Sequence, residues 1–210
     1  MKHSVYMDHN ATTEVFPEVK EAIMLALNTT GNASSIHSSG RAARKLIEDS
    51  RDRIAKMVKA KSKDVVFTSG GTEANNMAIR LFENSSKKIR ILASAIEHSS
   101  VLKVNPNVEI IPVNSEGIIN LETLDMMLTN SPWKARSGLT LVSVMLANNE
   151  TGVIQPIPNV VSISRRHGAI VHCDAVQAVG KMSVDFKALG VDMLSLSAHK
   201  IGGPDGVGAL

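Results

Sequence analysis

Lys200 is the residue whose setting in this sequence is most suggestive of chemistry. It follows His199 at the end of the apolar run "DMLSLSA" and precedes the Gly/Pro loop "IGGPDG". A lysine between an apolar strand and a tight loop can lose hydration, which lowers its pKa and lets the amine form a Schiff base. A surface lysine with its aliphatic stem along the protein is far commoner, however. The stretch by itself leaves both interpretations open.

Two further segments place polar groups directly after predicted strands. Gly70-Gly71-Thr72 follows "DVVFTS" and opens a predicted helix, where free backbone N–H groups and the helix dipole favour an anion such as phosphate. The same residues equally fit a tight turn with a capping threonine. Asp174 follows "AIVHC", and a carboxylate buried there needs a partner, either an arginine or a protonated ring nitrogen.

Three more candidates are ambiguous when taken singly. His98 follows "ILASAIE", and a lone histidine after a strand is more often structural than catalytic. The pair Asn148-Asn149 follows "LTLVSVMLA" and could form a polar turn or orient a ring substituent. Cys173, the only cysteine, is predicted to face away from Asp174 on a strand, as a small core residue and not a nucleophile.

The joint placement of these groups is more specific than any one of them. Pyridoxal 5'-phosphate asks for an anion site, a ring-stacking group, a donor to the ring oxygen, a carboxylate at the ring nitrogen and a lysine. The sequence offers these in series: a glycine-rich turn, an imidazole, an amide, an aspartate with Gln177 one turn on, and the set Ser197-Ala198-His199-Lys200. The series favours a site for this cofactor.

The segments between these groups alternate between short apolar runs and helical periodicity. Helices are predicted at 17–28, 40–60, 70–82, 121–128 and 157–168, and strands at 64–69, 89–94, 108–113, 139–146, 169–175, 192–198 and 206–210. Runs that are apolar on both faces and separated by helices predict an α/β fold with three layers, a mostly parallel sheet with helices on both faces. Ligands of such sheets bind outside the carboxyl ends of the strands.

Composition narrows the class of protein. Hydrophobic residues make up 43% and charged residues 20%, which is typical of a globular domain. A net charge of +3 and only 3% aromatic residues argue against nucleic-acid binding. No apolar run approaches the ~20 residues of a membrane span, and the start of the chain has no signal-peptide pattern. We expect a cytoplasmic protein with no membrane partner and no metal site.

Several stretches resemble the cysteine desulfurases of the iron–sulfur cluster assembly and nitrogen-fixation type, in the class V aminotransferase superfamily. The matching stretches keep the family's order from end to end and include "SGGTEANN", "NNETGVIQP" and "SAHK". The resemblance implies the large domain of a fold type I pyridoxal-phosphate enzyme. In this division, residues 1–15 border the active site and residues 16–210 form the cofactor-binding domain.

The resemblance also implies a role for each site residue. Lys200 would be the covalent anchor of pyridoxal 5'-phosphate, Asp174 would keep the ring nitrogen protonated, and His98 would stack on the ring and move protons. The other contacts would come from Asn149 and Gln177 to the ring oxygen, and from Gly71, Thr72, Ser197 and His199 to the phosphate.

The implied reaction converts L-cysteine to L-alanine and passes the sulfur, through a persulfide on a protein cysteine, to a sulfur-acceptor protein. Family members are homodimers nearly twice as long as this chain. Their second half carries the small domain, the nucleophilic cysteine and an arginine that binds the substrate carboxylate. We therefore expect a chain that ends at Leu210 to lack these parts, to expose apolar surface and to have no meaningful turnover alone.

Two other functions remain open from the sequence. The chain could derive from another class V pyridoxal-phosphate enzyme, such as a selenocysteine lyase or an aminotransferase. It could also be a remnant that binds the cofactor without catalysis.

Overall fold

Helices and strands alternate along the part of the chain that the computed structural model describes, residues 5–81, 88–130 and 138–210. The helices are α1 (Pro17–Leu27), α2 (Ser38–Val58), α3 (Gly71–Arg80), α4 (Ser99–Leu102), α5 (Leu121–Thr129), α6 (Ile157–Arg166) and α7 (Phe186–Leu189). The strands are β1 (Phe67–Thr68), β2 (Lys88–Ser94), β3 (Glu109–Ile111), β4 (Gly138–Ser143), β5 (Ile170–Asp174), β6 (Met193–Ser197) and β7 (Gly208–Ala209).

Every predicted helix and strand has a counterpart in the fold. Residues 1–4 of the predicted N-terminal segment and Phe82 of the third predicted helix lie outside the described residues. Helices α4 and α7 have no counterpart among the predicted helices, because four residues are too few to show a helical period.

Within the described residues, the strands form one seven-stranded sheet in the order β1-β7-β6-β5-β4-β2-β3. Strands β3, β2, β4, β5 and β6 run parallel, whereas β7 is antiparallel to both β6 and β1. The reversal between β6 and β7 has a simple cause: the connection 198–207 is shorter than the crossover that a parallel pair requires. The mostly parallel α/β fold predicted from the sequence is thus confirmed.

Successive residues of the central strands belong to two different cores. Leu92 of β2 and Val142 of β4 join the larger cluster, while their neighbours Ile91 and Leu141 join a second cluster with Ile79 of α3. Side chains alternate between the two faces of a strand, so the clusters lie on opposite sides of the sheet. Helices α5 and α6 contribute to the larger cluster and α3 and α4 to the smaller one, which gives the predicted three layers.

The first two helices pack less completely. Helix α1 contains no buried residue, and Met24, Leu25 and Leu27 are between 63% and 73% exposed. The helical period of the sequence predicts an apolar side of α2 that comprises Ala43, Leu46, Ile47, Ile54, Met57 and Val58. Of these, Val58 is buried, but Leu46 and Ile47 are more than 40% exposed. The helical period is correct, and much of the apolar side it defines remains uncovered.

No helix within the described ranges combines the length and apolarity needed to cross a membrane.

Candidate active site

A cavity of about 470 Å³ opens where the parallel strands end. Asp174 and Ser197 are the last residues of β5 and β6, and His98 and Asn149 follow β2 and β4. The structure brings all nine residues singled out in the sequence to the wall of this cavity: Gly71, Thr72, His98, Asn149, Asp174, Gln177, Ser197, His199 and Lys200.

The turn from β1 into α3 supplies one side of the cavity. The backbone N–H groups of Gly71 and Thr72 find no acceptor in the part of the chain that the structure describes. A Cβ at position 71 would lie 2.8 Å from Cγ2 of Val176 and 3.4 Å from Cβ of Ser197, so only glycine lets the turn approach these residues. The start of α3 therefore presents free donors and the positive end of a helix dipole to the cavity.

Asp174 is only 6% exposed, and each of its carboxylate oxygens accepts one hydrogen bond. The Val176 backbone N–H donates to Oδ1 at 2.9 Å, and Asn75 Nδ2 donates to Oδ2 at 2.7 Å. Burial raises the pKa of Asp174, while these hydrogen bonds and the nearby His98 and Lys200 act against the rise. No arginine in the described part of the chain pairs with this carboxylate. The carboxylate can therefore accept a hydrogen bond from a protonated atom of a ligand.

His98 precedes α4 and caps it with its own ring. The backbone N–H of Ser100 donates to Nδ1 of His98 at 3.1 Å, and the Ser100 hydroxyl lies 2.8 Å from the same nitrogen. Because Nδ1 accepts the backbone N–H, the proton of the neutral ring is on Nε2. The cap fixes the orientation of the imidazole at the cavity wall.

The ammonium of Lys200 is held by the N-terminal segment. Its Nζ donates to the backbone oxygens of Asn10 at 2.5 Å and of Ala11 at 2.6 Å. Partial burial lowers the pKa of Lys200, and the positive charge of Lys181 lowers it further. The lysine is thus not the freely solvated surface residue that was the alternative in the sequence.

The neighbouring His199 is tied to the same segment. Its Nδ1 lies 3.2 Å from the Thr12 hydroxyl and 3.3 Å from an oxygen of Asp205. Partial burial and the charge of Lys200 lower the pKa of His199. The segment also binds the loop after Lys200, because the backbone N–H of Gly202 donates to the Thr13 hydroxyl at 2.8 Å. The N-terminal segment therefore forms one wall of the site.

The two candidate ring-oxygen donors differ in their surroundings. Gln177 is already engaged, since its Nε2 donates to Asn10 O at 2.8 Å and its Oε1 accepts from Lys181 Nζ at 2.5 Å. The side chain of Asn149 lines the cavity and shows no hydrogen bond within the described residues. Asn148 takes the other role considered for this pair: its Oδ1 accepts from the backbone of Thr151 at 2.9 Å and closes a polar turn.

Glu97 is a buried carboxyl group that the sequence pattern does not single out beside its neighbour His98. It is 6% exposed; Oε1 accepts the backbone N–H of Met145 at 2.7 Å, and Oε2 has no partner among the described residues. Burial raises the pKa of Glu97 well above its ordinary value, and the charge of Asp174 raises it further. An acidic residue at a strand end was the available signal, but nothing in the sequence shows its burial.

Glu97 should make the stability of the protein depend on pH. The folded chain retains a proton that the unfolded chain releases above about pH 4.5, so the free energy of unfolding falls as pH rises toward the folded-state pKa. Glu97→Gln keeps the acceptor for Met145 and cannot ionise. Urea unfolding between about pH 5 and pH 8 should therefore show a flatter pH profile for E97Q than for the parent chain. Glu116→Gln, at an exposed position, is the control; parallel profiles for E97Q and the parent would refute the assignment.

Cys173 is completely buried in the larger core cluster, and burial raises the pKa of its thiol well above the ordinary value. A thiol that is neither accessible nor ionised is a poor nucleophile. The structure therefore agrees with the prediction that Cys173 is a core residue.

The sequence of the chain is similar to those of known proteins. The sequence model of the family described as Aminotransferase class-V matches residues 5–210. The chain is 44% identical to a cysteine desulfurase IscS of Dictyoglomus turgidum, which it matches over 100% of its own length and 54% of that protein. It is 39% identical to an IscS-like cysteine desulfurase of Mycobacterium tuberculosis, over 98% of this chain and 54% of that protein.

Solved structures show the same likeness. A NifS-like protein from Rickettsia africae superposes with a TM-score of 0.89 at 41% identity, covering 99% of this chain and 57% of that chain. A second NifS-like protein gives a TM-score of 0.87 at 35% identity. The chain spans about half the length of the curated relatives it matches.

Proposed function

Because the chain belongs to the class-V aminotransferase family, we propose that it binds pyridoxal 5'-phosphate and supplies the cofactor site of a cysteine desulfurase. One observation carries the proposal: a buried carboxylate, a lysine with a lowered pKa and a helix start with free N–H groups line a single cavity. Relatives named cysteine desulfurase match nearly all of the chain and support the choice of reaction.

The residues at the start of α3 fit the phosphate of this cofactor. The unpaired N–H groups of Gly71 and Thr72 are donors suited to an anion, and the helix dipole adds to the attraction. The hydroxyls of Thr72 and Ser197 and the ring of His199 line the same cavity and would complete the shell. Glycine at position 71 supports this arrangement, because it lets Ser197 lie close to the turn.

The remaining residues fit the ring and its aldehyde. When bound, the cofactor supplies an electron-accepting pyridinium ring. The carboxylate of Asp174 would hold a proton on the ring nitrogen, and Asn149, whose side chain is free of other bonds in the described structure, would orient the ring oxygen. Gln177 would reach that oxygen only by exchanging one of its bonds to Asn10 and Lys181. Lys200 would anchor the cofactor covalently, and His98 would stack on the ring and carry a proton on Nε2.

The proposed reaction converts L-cysteine to L-alanine, with the sulfur taken by a protein thiolate and passed to a sulfur-acceptor protein. Cys173 cannot be that thiolate, because it is buried in the core. The 210 residues contain no other cysteine. The attacking thiol of this reaction must therefore come from a cysteine outside these residues. For that reason we expect cofactor binding, and no meaningful turnover of cysteine, from these residues alone.

The assembly, division and location of the protein belong to the same proposal. The exposed apolar side chains of α1 support a homodimer, because a surface of this kind is usually covered in an assembly. The hydrogen bonds that Lys200 donates to Asn10 and Ala11 support a division into a segment 1–15 that borders the site and a domain 16–210 that holds the cofactor. We also propose a cytoplasmic location.

A spectroscopic titration tests the proposal. Adding pyridoxal 5'-phosphate to the purified chain should produce a visible absorption band that saturates at one equivalent and is bleached by borohydride. Pyridoxal, which has the same aldehyde and no phosphate, should bind far more weakly, because the donors at Gly71 and Thr72 then have no anion to hold. Equal binding of the two compounds, or no band, would contradict the proposed site.

A further inference from the structure

A line of hydrogen bonds joins Asp174 to His98 along the cavity wall. Asn75 Nδ2 donates to Asp174 Oδ2 at 2.7 Å and to the Ser100 hydroxyl at 2.9 Å. That hydroxyl lies 2.8 Å from Nδ1 of His98. Asn75 and Ser100 are buried, at 1% and 8% exposure, so solvent does not compete for these bonds. Neither residue was a candidate in the sequence.

The direction of each bond in this line is fixed by its chemistry. A carboxylate only accepts, so the amide of Asn75 must turn its nitrogen toward Asp174, and its two N–H groups are then used by Asp174 and Ser100. Because the backbone donor at Ser100 makes Nδ1 of His98 an acceptor, the Ser100 hydroxyl donates its own hydrogen to that nitrogen. The backbone N–H of Ser100 donates to the same nitrogen at 3.1 Å. The line is consistent only with a ring whose proton is on Nε2.

We propose that Asn75 and Ser100 are positioning residues that act as one unit, holding the Asp174 carboxylate on one side and the Nε2–H tautomer of His98 on the other. The hydrogen-bonded arrangement is a property of this chain alone. Its value for catalysis rests on the proposed function, in which Asp174 and His98 contact the same cofactor ring.

The cost of Asn75 to the fold supports a role beyond packing. Its Oδ1 is buried and has no partner among the described residues, and an unsatisfied buried acceptor destabilises a protein. A leucine of similar volume would fill the space between α3 and α4 without that penalty. What the amide provides and leucine would not is two donated hydrogen bonds, both to groups at the site.

Asn76 provides a matched control one residue along α3. Its Nδ2 donates to the backbone oxygens of Thr72 at 2.8 Å and of Ser100 at 3.2 Å. It therefore links α3 to the same Ser100 segment, but touches neither the Ser100 hydroxyl nor Asp174. If Asn75 only tied the helices together, replacing either asparagine would have the same consequences.

Nuclear magnetic resonance of the labelled, cofactor-free chain separates these cases. In Asn75→Leu the carbon-13 signal of the Asp174 carboxyl should titrate at higher pH than in the parent, because a hydrogen bond that favours the charged form is gone. In Asn76→Leu it should titrate as in the parent. Equal midpoints in N75L and the parent, or equal shifts in N75L and N76L, would overturn the proposal.

The His98 half is tested independently through Ser100. In Ser100→Ala, Nδ1 of His98 loses the hydroxyl donor and keeps the backbone N–H of position 100, so the nitrogen-15 signals of the ring should shift part of the way toward a mixture of tautomers. Ser100→Thr, which keeps a hydroxyl, should retain the Nε2–H pattern. Ring signals in S100A identical to those of the parent would refute the role of Ser100, and this pair of variants decides the matter if N75L fails to fold. All of these signals are read without cofactor, so failure to bind pyridoxal 5'-phosphate would count against the proposed function and leave this inference standing.

Discussion

Lys200→Arg is expected to lose all covalent labelling by pyridoxal 5'-phosphate and borohydride. Arginine keeps the positive charge and the length needed to contact the backbone oxygens of Asn10 and Ala11, but its guanidinium stays protonated at any practical pH and cannot act as an amine nucleophile. Lys200 differs in this respect, because partial burial and the nearby charge of Lys181 lower its pKa. The measurement is mass spectrometry of peptides from the reduced, labelled protein.

Lys181 is the matched control, since it also lies at Asn10 and burial also lowers its pKa. Its Nζ donates to Asn10 Oδ1 at 2.9 Å and to Gln177 Oε1, yet Lys181 does not line the cavity. Lys181→Arg should retain full labelling at position 200. Covalent label that persists in K200R, or label found on Lys181 of the parent chain, would show that the anchor has been misassigned.

Asp174→Asn is expected to weaken cofactor binding while stabilising the cofactor-free chain. A hydrogen bond between a charged pair is worth about 1.5–3 kcal/mol, so losing the bond to the ring nitrogen should raise the Kd for pyridoxal 5'-phosphate roughly tenfold to hundredfold. Without the ligand, however, the carboxylate is a buried charge that burial disfavours. Asparagine removes that charge, and a flip of Asn75 can bring its unpaired Oδ1 to the new amide.

The gain in stability should depend on pH in a defined direction. The folded-state pKa of Asp174 is raised, so its protonated form stabilises the fold at low pH, and this contribution is lost as pH rises through the folded pKa. Thermal unfolding of D174N and of the parent should therefore coincide near about pH 3 and diverge above it, with D174N melting higher. Unchanged Kd, or a lower melting temperature for D174N at neutral pH, would contradict the placement of the carboxylate.

The fold was largely predictable because each strand of a covered parallel sheet is an apolar run with its own length and flanking turns. Periodicity identifies which residues share one side of a helix, but it does not identify what covers that side. Helix α2 illustrates the limit: Leu46 and Ile47 stand on the predicted apolar side and are still more than 40% exposed. The position of β7 between β1 and β6 was equally beyond the sequence, since pairing with the distant β1 depends on contacts across the whole chain.

The candidate site was predictable where a functional group directly follows a strand, as Asp174 and Lys200 do. It was not predictable where the group acts through a distant contact. Asn75 lies inside a helix and meets Asp174 across 99 residues of chain, and Asn10 meets Lys200 across 190. Glu97 was visible as an acidic residue, but its burial beside Met145 is a property of tertiary packing. Supporting residues of this kind leave no local pattern.

The order of strands also bears on how the protein is made. Strand β1 pairs with β7 in the described sheet, and the backbone of Val66 exchanges two hydrogen bonds with Leu210. During synthesis on a ribosome, β1 therefore has no strand to pair with until β7 is made, more than half the chain later. This interval is on the order of ten seconds at ordinary rates of synthesis. Meanwhile the turn at Gly70-Gly71 is not anchored to the sheet through its own strand. All five parallel strands, β2 to β6, are therefore synthesised before β7 can anchor this turn, so a nascent chain would complete the proposed phosphate site only after the rest of the sheet.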